Sequence, residues 1–176
     1  FKPGAKDEIF LNAYAGGDDL SIMAYGIQAD GSMKWSNANA SLCWRHGREG
    51  ELQWENILFH TQAADRMGVV QGSQTIMARS YMYESGFKSN LTIPYGSQRS
   101  VLVGMEGLFR DARPQYLRMS GDLSSPDSSQ VKIGTIEYAL FGEWRHAWND
   151  VFRSSLGLRW SGLIYDREQN TKYGLY

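Results

Sequence analysis

Hydrophobic residues recur at every second position in a series of separate runs. In residues 8–15, Ile9, Leu11, Ala13 and Ala15 share one parity and Glu8, Phe10, Asn12 and Tyr14 the other. Between Met33 and Arg45, Ala38, Ala40, Leu42 and Trp44 alternate with Asn37, Asn39, Ser41 and Cys43. The run Glu51 to Thr61 sets Leu52, Trp54 and Leu58 against Gln53 and Glu55, blurred by Ile57 and Phe59. From Ala78 to Ile93, Tyr81, Tyr83, Phe87, Leu91 and Ile93 oppose Glu84, Lys88, Asn90 and Thr92. Next, Val101, Val103, Met105 and Phe109 oppose Glu106 and Arg110. Ile136, Tyr138, Leu140 and Trp144 oppose Glu137, Glu143 and Arg145. The clearest run sets Phe152, Leu156, Leu158, Trp160 and Ile164 against Arg153, Ser155, Gly157, Arg159 and Ser161. A period of two is that of a β-strand with two unlike faces, so seven strands are predicted.

The connections alternate in kind. Short polar segments near residues 2–7, 46–50, 94–99 and 147–150 read as tight turns. The segments 16–32, 62–75 and 111–133, with their Gly, Asp, Ser and Pro residues, read as long loops, and a last loop opens at 166–170. The runs exceed the five or six residues usual in soluble sheets and suit the roughly 9–11 needed to cross a bilayer at a tilt. Tyr14, Trp35, Trp44, Trp54, Tyr81, Trp144, Trp148 and Tyr165 fall near strand ends, where amphipathic rings favour a lipid–water boundary. The fold class expected is all-β: an antiparallel, up-and-down transmembrane β-barrel segment of seven to eight strands. Short turns lie on the periplasmic side and long loops outside.

Composition narrows the classes further. The chain has 176 residues, a net charge of -1 and one cysteine. Near-neutral charge without basic runs argues against nucleic acid as a partner, and a lone Cys43 makes no internal disulfide. Mean hydropathy is -0.44, and no apolar stretch approaches the roughly 20 residues of a spanning helix. Phe1 to Asp7 has no apolar leader core and reads as a strand end entering a turn, while Lys172 to Tyr176 begins a further strand. Residues 1–176 are therefore expected to be one partial outer-membrane barrel domain, cut at both ends.

Glu137-Tyr138-Ala139-Leu140-Phe141-Gly142-Glu143, Asn149-Asp150 and Leu156-Gly157-Leu158-Arg159-Trp160-Ser161 resemble barrel strands of TonB-dependent receptors of the Bacteroides type. Trp35 to His46 is similar to another strand of that family, and Phe87 to Thr92 followed by Ser100 to Met105 to one of its hairpins. The order and spacing hold over nearly the whole chain. The resemblance implies a mid-barrel wall segment of a receptor whose barrel has 22 strands and whose plug domain lies elsewhere. It implies uptake of a nutrient across the bacterial outer membrane. Its implied partners are outer-membrane lipid, the rest of the barrel, the plug, TonB through that plug, and a surface lipoprotein lid.

Candidate chemistry is sparse. His46, His60 and His146 lack metal-ligand spacing, and the turn histidines are expected to be exposed. His60 and Asp65, with serines nearby, carry no nucleophile-elbow signature. Asn39-Ala40-Ser41 and Asn90-Leu91-Thr92 match a glycosylation sequon inside strands and are read as chance. No catalytic, cofactor-binding or metal residue is assigned, no cofactor is expected, and the chain is not read as an enzyme. Glu84, Lys88, Glu106, Arg110, Glu137, Glu143, Arg145, Arg153 and Arg159 share the polar parity and are expected to form a lumenal charge network. Contacts to cargo are expected from the three long loops, with Tyr25 and Tyr116 as exposed rings for stacking. Two alternatives remain. A complete eight-stranded outer-membrane barrel with a structural or adhesion role requires residues 172–176 to pair with the first strand. A soluble β-sandwich that binds carbohydrate requires a second sheet over the Leu42 and Leu158 faces.

Overall fold

In a chain whose side chains alternate between faces, the backbone groups of each strand are satisfied by its neighbours on either side. The computed structural model describes residues 1–26, 29–48, 50–120, 132–167 and 170–175. It shows this principle as one antiparallel meander. The strands are β1 (Asp7–Ala24), β2 (Ala29–His46), β3 (Gln53–Gln71), β4 (Gln74–Pro94), β5 (Arg99–Ser120), β6 (Ile133–Ala147), β7 (Arg153–Arg167) and β8 (Asn170–Leu175). Their order in the sheet is their order in the chain.

Register lines up the faces read from the sequence. Leu11, Leu42, Leu58 and Phe87 form one cross-strand row. Met105, Leu140 and Trp160 lie in the adjacent row. Leu158 belongs to the same side, and Arg159 to the other, so we call them the Leu158 face and the Arg159 face.

The strand ends are staggered. His46 is level with Leu91 and Leu158, yet β4 continues to Pro94 and β7 begins at Arg153. Five residues of offset over five strand-to-strand steps correspond to a tilt of roughly 35° from the usual rise and spacing. That is the tilt closure of a barrel demands.

The expected long loops are mostly strand. β1 runs on to Ala24, β2 starts at Ala29, β3 runs to Gln71, β4 starts at Gln74 and β5 reaches Ser120. The β3–β4 connection is only Gly72-Ser73, with Gly72 at φ 58°, the left-handed backbone that two-residue hairpins require. Sequence reading ends the strands too early because the alternation changes phase without a break in the ladder. In β1 the apolar residues move from Ile9, Leu11 and Ala13 to Leu20 and Ile22, which have the opposite parity. The end of the sheet nearer Gly47, Gly96 and Trp148 is called lower here, and the end nearer Gly72 upper.

The sheet is open. β8 pairs β7 at its upper end, and among the described residues β1 and β8 make no contact. The closure expected of a complete eight-stranded barrel is not made there. All described strands lie in one sheet, without the second sheet that a sandwich requires. Among the described residues, the free edge of β1 is touched only near its start, where Ile9 donates to Phe1 O at 2.7 Å and the Phe1 amino group donates back at 2.9 Å.

Aromatic rings cover glycines across the ladder. Phe59 lies over Gly86, Phe141 over Gly104, Phe87 over Gly107 and Tyr138 over Gly162, each directly opposite its glycine. Such pairs pin register, because only glycine leaves room for the ring on its neighbour.

Candidate functional site: the two faces of the sheet

The lower Leu158 face is an apolar wall. Leu11 is 76% exposed, Leu156 73% and Leu158 85%. In water such a continuous area of exposed leucine is a liability; in lipid it is the required surface. Aromatic residues bound it below. Trp44 and Trp54 meet at 5.4 Å between ring centroids, and His146 stacks on Trp144 at 5.5 Å and meets Trp148 edge-on at 4.3 Å. Their indole N–H groups find oxygens: Trp44 donates to Asp7 Oδ1 at 3.0 Å, Trp54 to Ser89 Oγ at 2.8 Å and Trp148 to Ser154 Oγ at 2.9 Å. Tyr81 and Tyr83 bound it above, edge to face at 5.7 Å. Ten residue steps along β4, from Tyr83 to Ile93, separate the two levels. At the tilt above they span roughly 28 Å, close to the apolar band of an outer-membrane barrel.

Three of the aromatics expected in these girdles belong elsewhere. Tyr14, Trp35 and Tyr165 carry the parity of the Arg159 face, because β1, β2 and β7 run on in register through them. A ring on that parity cannot reach the boundary of the apolar wall.

The lower Arg159 face is a compensated charge network. Arg110 donates to Glu84 Oε2 through Nε at 2.9 Å and Nη2 at 2.7 Å, and through Nη1 to Glu137 at 3.4 Å. Arg159 pairs with Glu106. Lys88 and Arg159 both sit over the Phe141 ring, at 5.8 and 5.5 Å. Arg145 grips Glu143 with two parallel bonds at 2.9 and 3.0 Å, and Arg45 pairs with Glu55 at 2.6 Å. Lys88, Glu106, Glu137 and Arg159 line a concavity of about 470 Å³. With acids and bases interleaved, the network makes this a polar, charge-compensated face with no large field of either sign to steer a charged solute.

The histidines do not converge. His46 bonds Asp7 at 2.8 Å at the lower rim. Asp7 and Glu8 head β1, whereas Glu51 lies in the β2–β3 turn; there the Lys6 ammonium, at 2.6 Å, holds the Glu51 carboxyl below its ordinary value. His146, expected in an exposed turn, is buried, because Trp144 and Trp148 enclose it. His60 lies on the apolar wall, bonded to Ser85 Oγ at 2.8 Å. Asp65 is on the opposite face, bonded to Ser80 at 3.1 Å, so these two cannot share a nucleophile. Among the described residues, no three of His, Cys, Asp and Glu come together as a metal set. Cys43 is buried on the Arg159 face, where a free thiol packs as a small hydrophobe. The expected cargo loops 16–32 and 62–75 are mostly strand, as are residues 111–120 of the third, whose residues 121–131 lie outside the described residues. Tyr25 is exposed in the β1–β2 turn, whereas Tyr116 lies in β5 and its side chain is outside the described residues.

Sequence reading misses the upper half of the sheet, where the faces exchange character. On the Arg159 face, Leu20, Met33 and Met67 form one row, and Ile22, Val69 and Ile76 lie in the next. On the Leu158 face, Asp19, Lys34, Arg66 and Arg79 form a single charged row. The signal is present in the sequence as the phase change in β1.

No family model matches the chain, and no curated protein matches it. Among solved structures it is similar to BauA, the ferric preacinetobactin receptor from Acinetobacter baumannii, with a TM-score of 0.64 over 98% of this chain. The sequences are 10% identical, and the match covers 34% of that receptor. The chain thus spans about a third of that receptor's length. The likeness shows the fold: an up-and-down sheet laid out like part of a receptor barrel.

Proposed function

We propose that the chain is a wall segment of a TonB-dependent receptor barrel in a bacterial outer membrane, serving nutrient uptake. The observation that carries this reading is the exchange of apolar character between the faces partway up unbroken strands. A sheet in one solvent keeps one greasy face along its length. A sheet that leaves lipid for water must turn polar outside at that level, and here it does so just above Tyr81 and Tyr83. The likeness to a receptor barrel and the roughly 35° stagger support the same reading.

The orientation follows from length. The lower turns sit close to the apolar wall, and the upper strands continue well past it, so the lower end is periplasmic and the upper end extracellular. The Arg159 face is then the lumen wall, docking the plug. The chain works by lining and holding the pore, and energised movement of the plug through TonB, not bond chemistry, drives transport. A surface lipoprotein lid would close over the upper rim. Free backbone groups on β1 and on the lower half of β7 cost several kcal/mol each in hydrocarbon, so both edges are satisfied by neighbouring barrel strands.

The reading is tested by the genomic flanks and by uptake. Flanking sequence is expected to encode a plug domain upstream and further barrel strands downstream, and disrupting the frame is expected to abolish TonB-dependent growth on one nutrient class. Flanks that encode a soluble enzyme, or a chain recovered wholly from the soluble fraction without detergent, would refute it.

A further inference from the structure

Arg66 and Arg79 stand directly opposite each other on β3 and β4. Neither side chain makes a hydrogen bond or an ion pair with another described residue. Like charges in a direct cross-strand pair repel, so the pair is unfavourable unless an anion lies between them. Lys34 is next in the row and is shared with Asp19 at 3.2 Å. Arg113, two residues lower on β5, lies over the Tyr81 ring at 5.1 Å, and its buried Nε has no partner. Asp19, Lys34, Arg66, Arg79 and Tyr81 border an open hollow of about 880 Å³ on the Leu158 face, and Arg113 flanks it through its contact with Tyr81.

The same two strands lead from this hollow into the apolar wall. Below Arg66 and Arg79 come Tyr81 and Tyr83, and then a groove of about 610 Å³ lined by Leu42, Leu58, Phe87 and Phe109. The groove begins about six residues, roughly 20 Å, below the arginines, within reach of a long acyl chain. His60 and Ser85 lie in its floor and satisfy each other, so the groove makes no polar demand on what fills it. A basic cluster one step above an aromatic boundary, with a greasy furrow beneath, matches one class of molecule: a lipid with phosphate on its headgroup.

We propose that this surface binds a phosphorylated glycolipid of the outer leaflet, its phosphate bridging Arg66 and Arg79 with Arg113 beside it, and an acyl chain in the groove. This rests on the membrane reading above and adds a specific lipid site to it. Phosphate on the lipid removes the repulsion between the two arginines and supplies the missing partner of Arg113.

The test uses the chain together with the flanking barrel strands and plug of the reading above, folded into phosphatidylcholine vesicles doped with lipid A bearing its phosphates, or with lipid A stripped of them. Lipid retained after extraction into detergent and gel filtration is measured by mass spectrometry. Phosphorylated lipid A is expected to be retained roughly tenfold over the stripped form. That preference is expected to vanish in the Arg66→Gln, Arg79→Gln double variant and to return in the Arg66→Lys, Arg79→Lys double variant. Inorganic phosphate, which lacks the chain that fills the groove, is expected not to displace it. Equal retention of the two lipid A forms by an inserted chain, an unchanged preference in the Gln variant, or displacement by inorganic phosphate would each overturn the lipid site and leave the membrane reading standing. Failure of the whole barrel that contains the wild-type chain to gain protease protection in any of these vesicles would overturn both.

Discussion

The lower and upper halves of this sheet share strands, ladder and register, and differ in which face is greasy. Below Tyr83 the Leu158 face carries Leu11, Leu42, Leu58, Leu140 and Leu158, and the other carries the Arg110 and Arg159 ion pairs. Above Tyr81 the Leu158 face carries Asp19, Lys34, Arg66 and Arg79, and the other carries Leu20, Met33, Met67 and Ile76. Backbone hydrogen bonding is indifferent to this exchange, since a strand offers the same N–H and C=O groups whichever side chains it bears. On the membrane reading, what changes is the solvent on the outside. The comparison teaches that hydrophobic pattern reports the surroundings of a strand as well as its existence.

The largest effect expected from breaking that contrast is a charge placed in the lower wall. Leu140→Arg is expected to cost about 2–4 kcal/mol in lipid, while Ser32→Arg, on the same face in the upper half, is expected to stay within about 0.5 kcal/mol. Urea unfolding in vesicles measures both, and equal costs would dissolve the distinction. Next comes the Arg159 face of the same lower strands. Gly104→Val drives a side chain into the Phe141 ring and is expected to cost about 1–3 kcal/mol. Loss of the Phe141 ring position also unseats Lys88 and Arg159, so the effect of Gly104→Val is expected to be non-additive with Arg159→Ala.

Removing Arg110 leaves Glu84 and Glu137 facing each other without their shared cation. Arg110→Ala is expected to cost about 1–2 kcal/mol, and Arg110→Ala with Glu84→Ala less than the two single losses together. The smallest effect belongs to the lower rim. The Glu51 carboxyl is held below its ordinary value by Lys6. Its contribution to stability is present above the ordinary carboxylate value and is lost as pH falls through the lowered one. The pair is exposed, so the difference between wild type and Glu51→Gln is expected to be slight at neutral pH and to disappear in acid. A difference that grows in acid would contradict the pairing.

Much of the lower half is legible in the sequence. Ile9 to Ala15, Ala38 to Trp44 and Leu156 to Trp160 alternate cleanly, and their register is the one that keeps each greasy set on one side. The upper half reads as loop because Gly16, Gly17, Asp18 and Asp19 look like turn residues and because Leu20 and Ile22 resume the pattern out of phase. Turn composition marks a loop only where the ladder ends, and here the paired strand carries on. The Arg66–Arg79 pair and the glycines under Phe141 and Tyr138 are hidden for another reason. They depend on which residues register places opposite each other, and one strand's sequence does not carry its partner's offset.

The most direct measurement is collision accessibility of spin labels, placed one at a time in a Cys43→Ser background in vesicles. Labels at Leu156, Leu158 and Trp160 are predicted to meet oxygen dissolved in the lipid, and labels at Arg153, Ser32 and Arg66 a water-soluble nickel reagent. The account is contradicted if the Leu158 label meets the nickel reagent while Arg159 meets oxygen, or if labels at Leu58 and Arg66, on one face of one strand, report the same solvent.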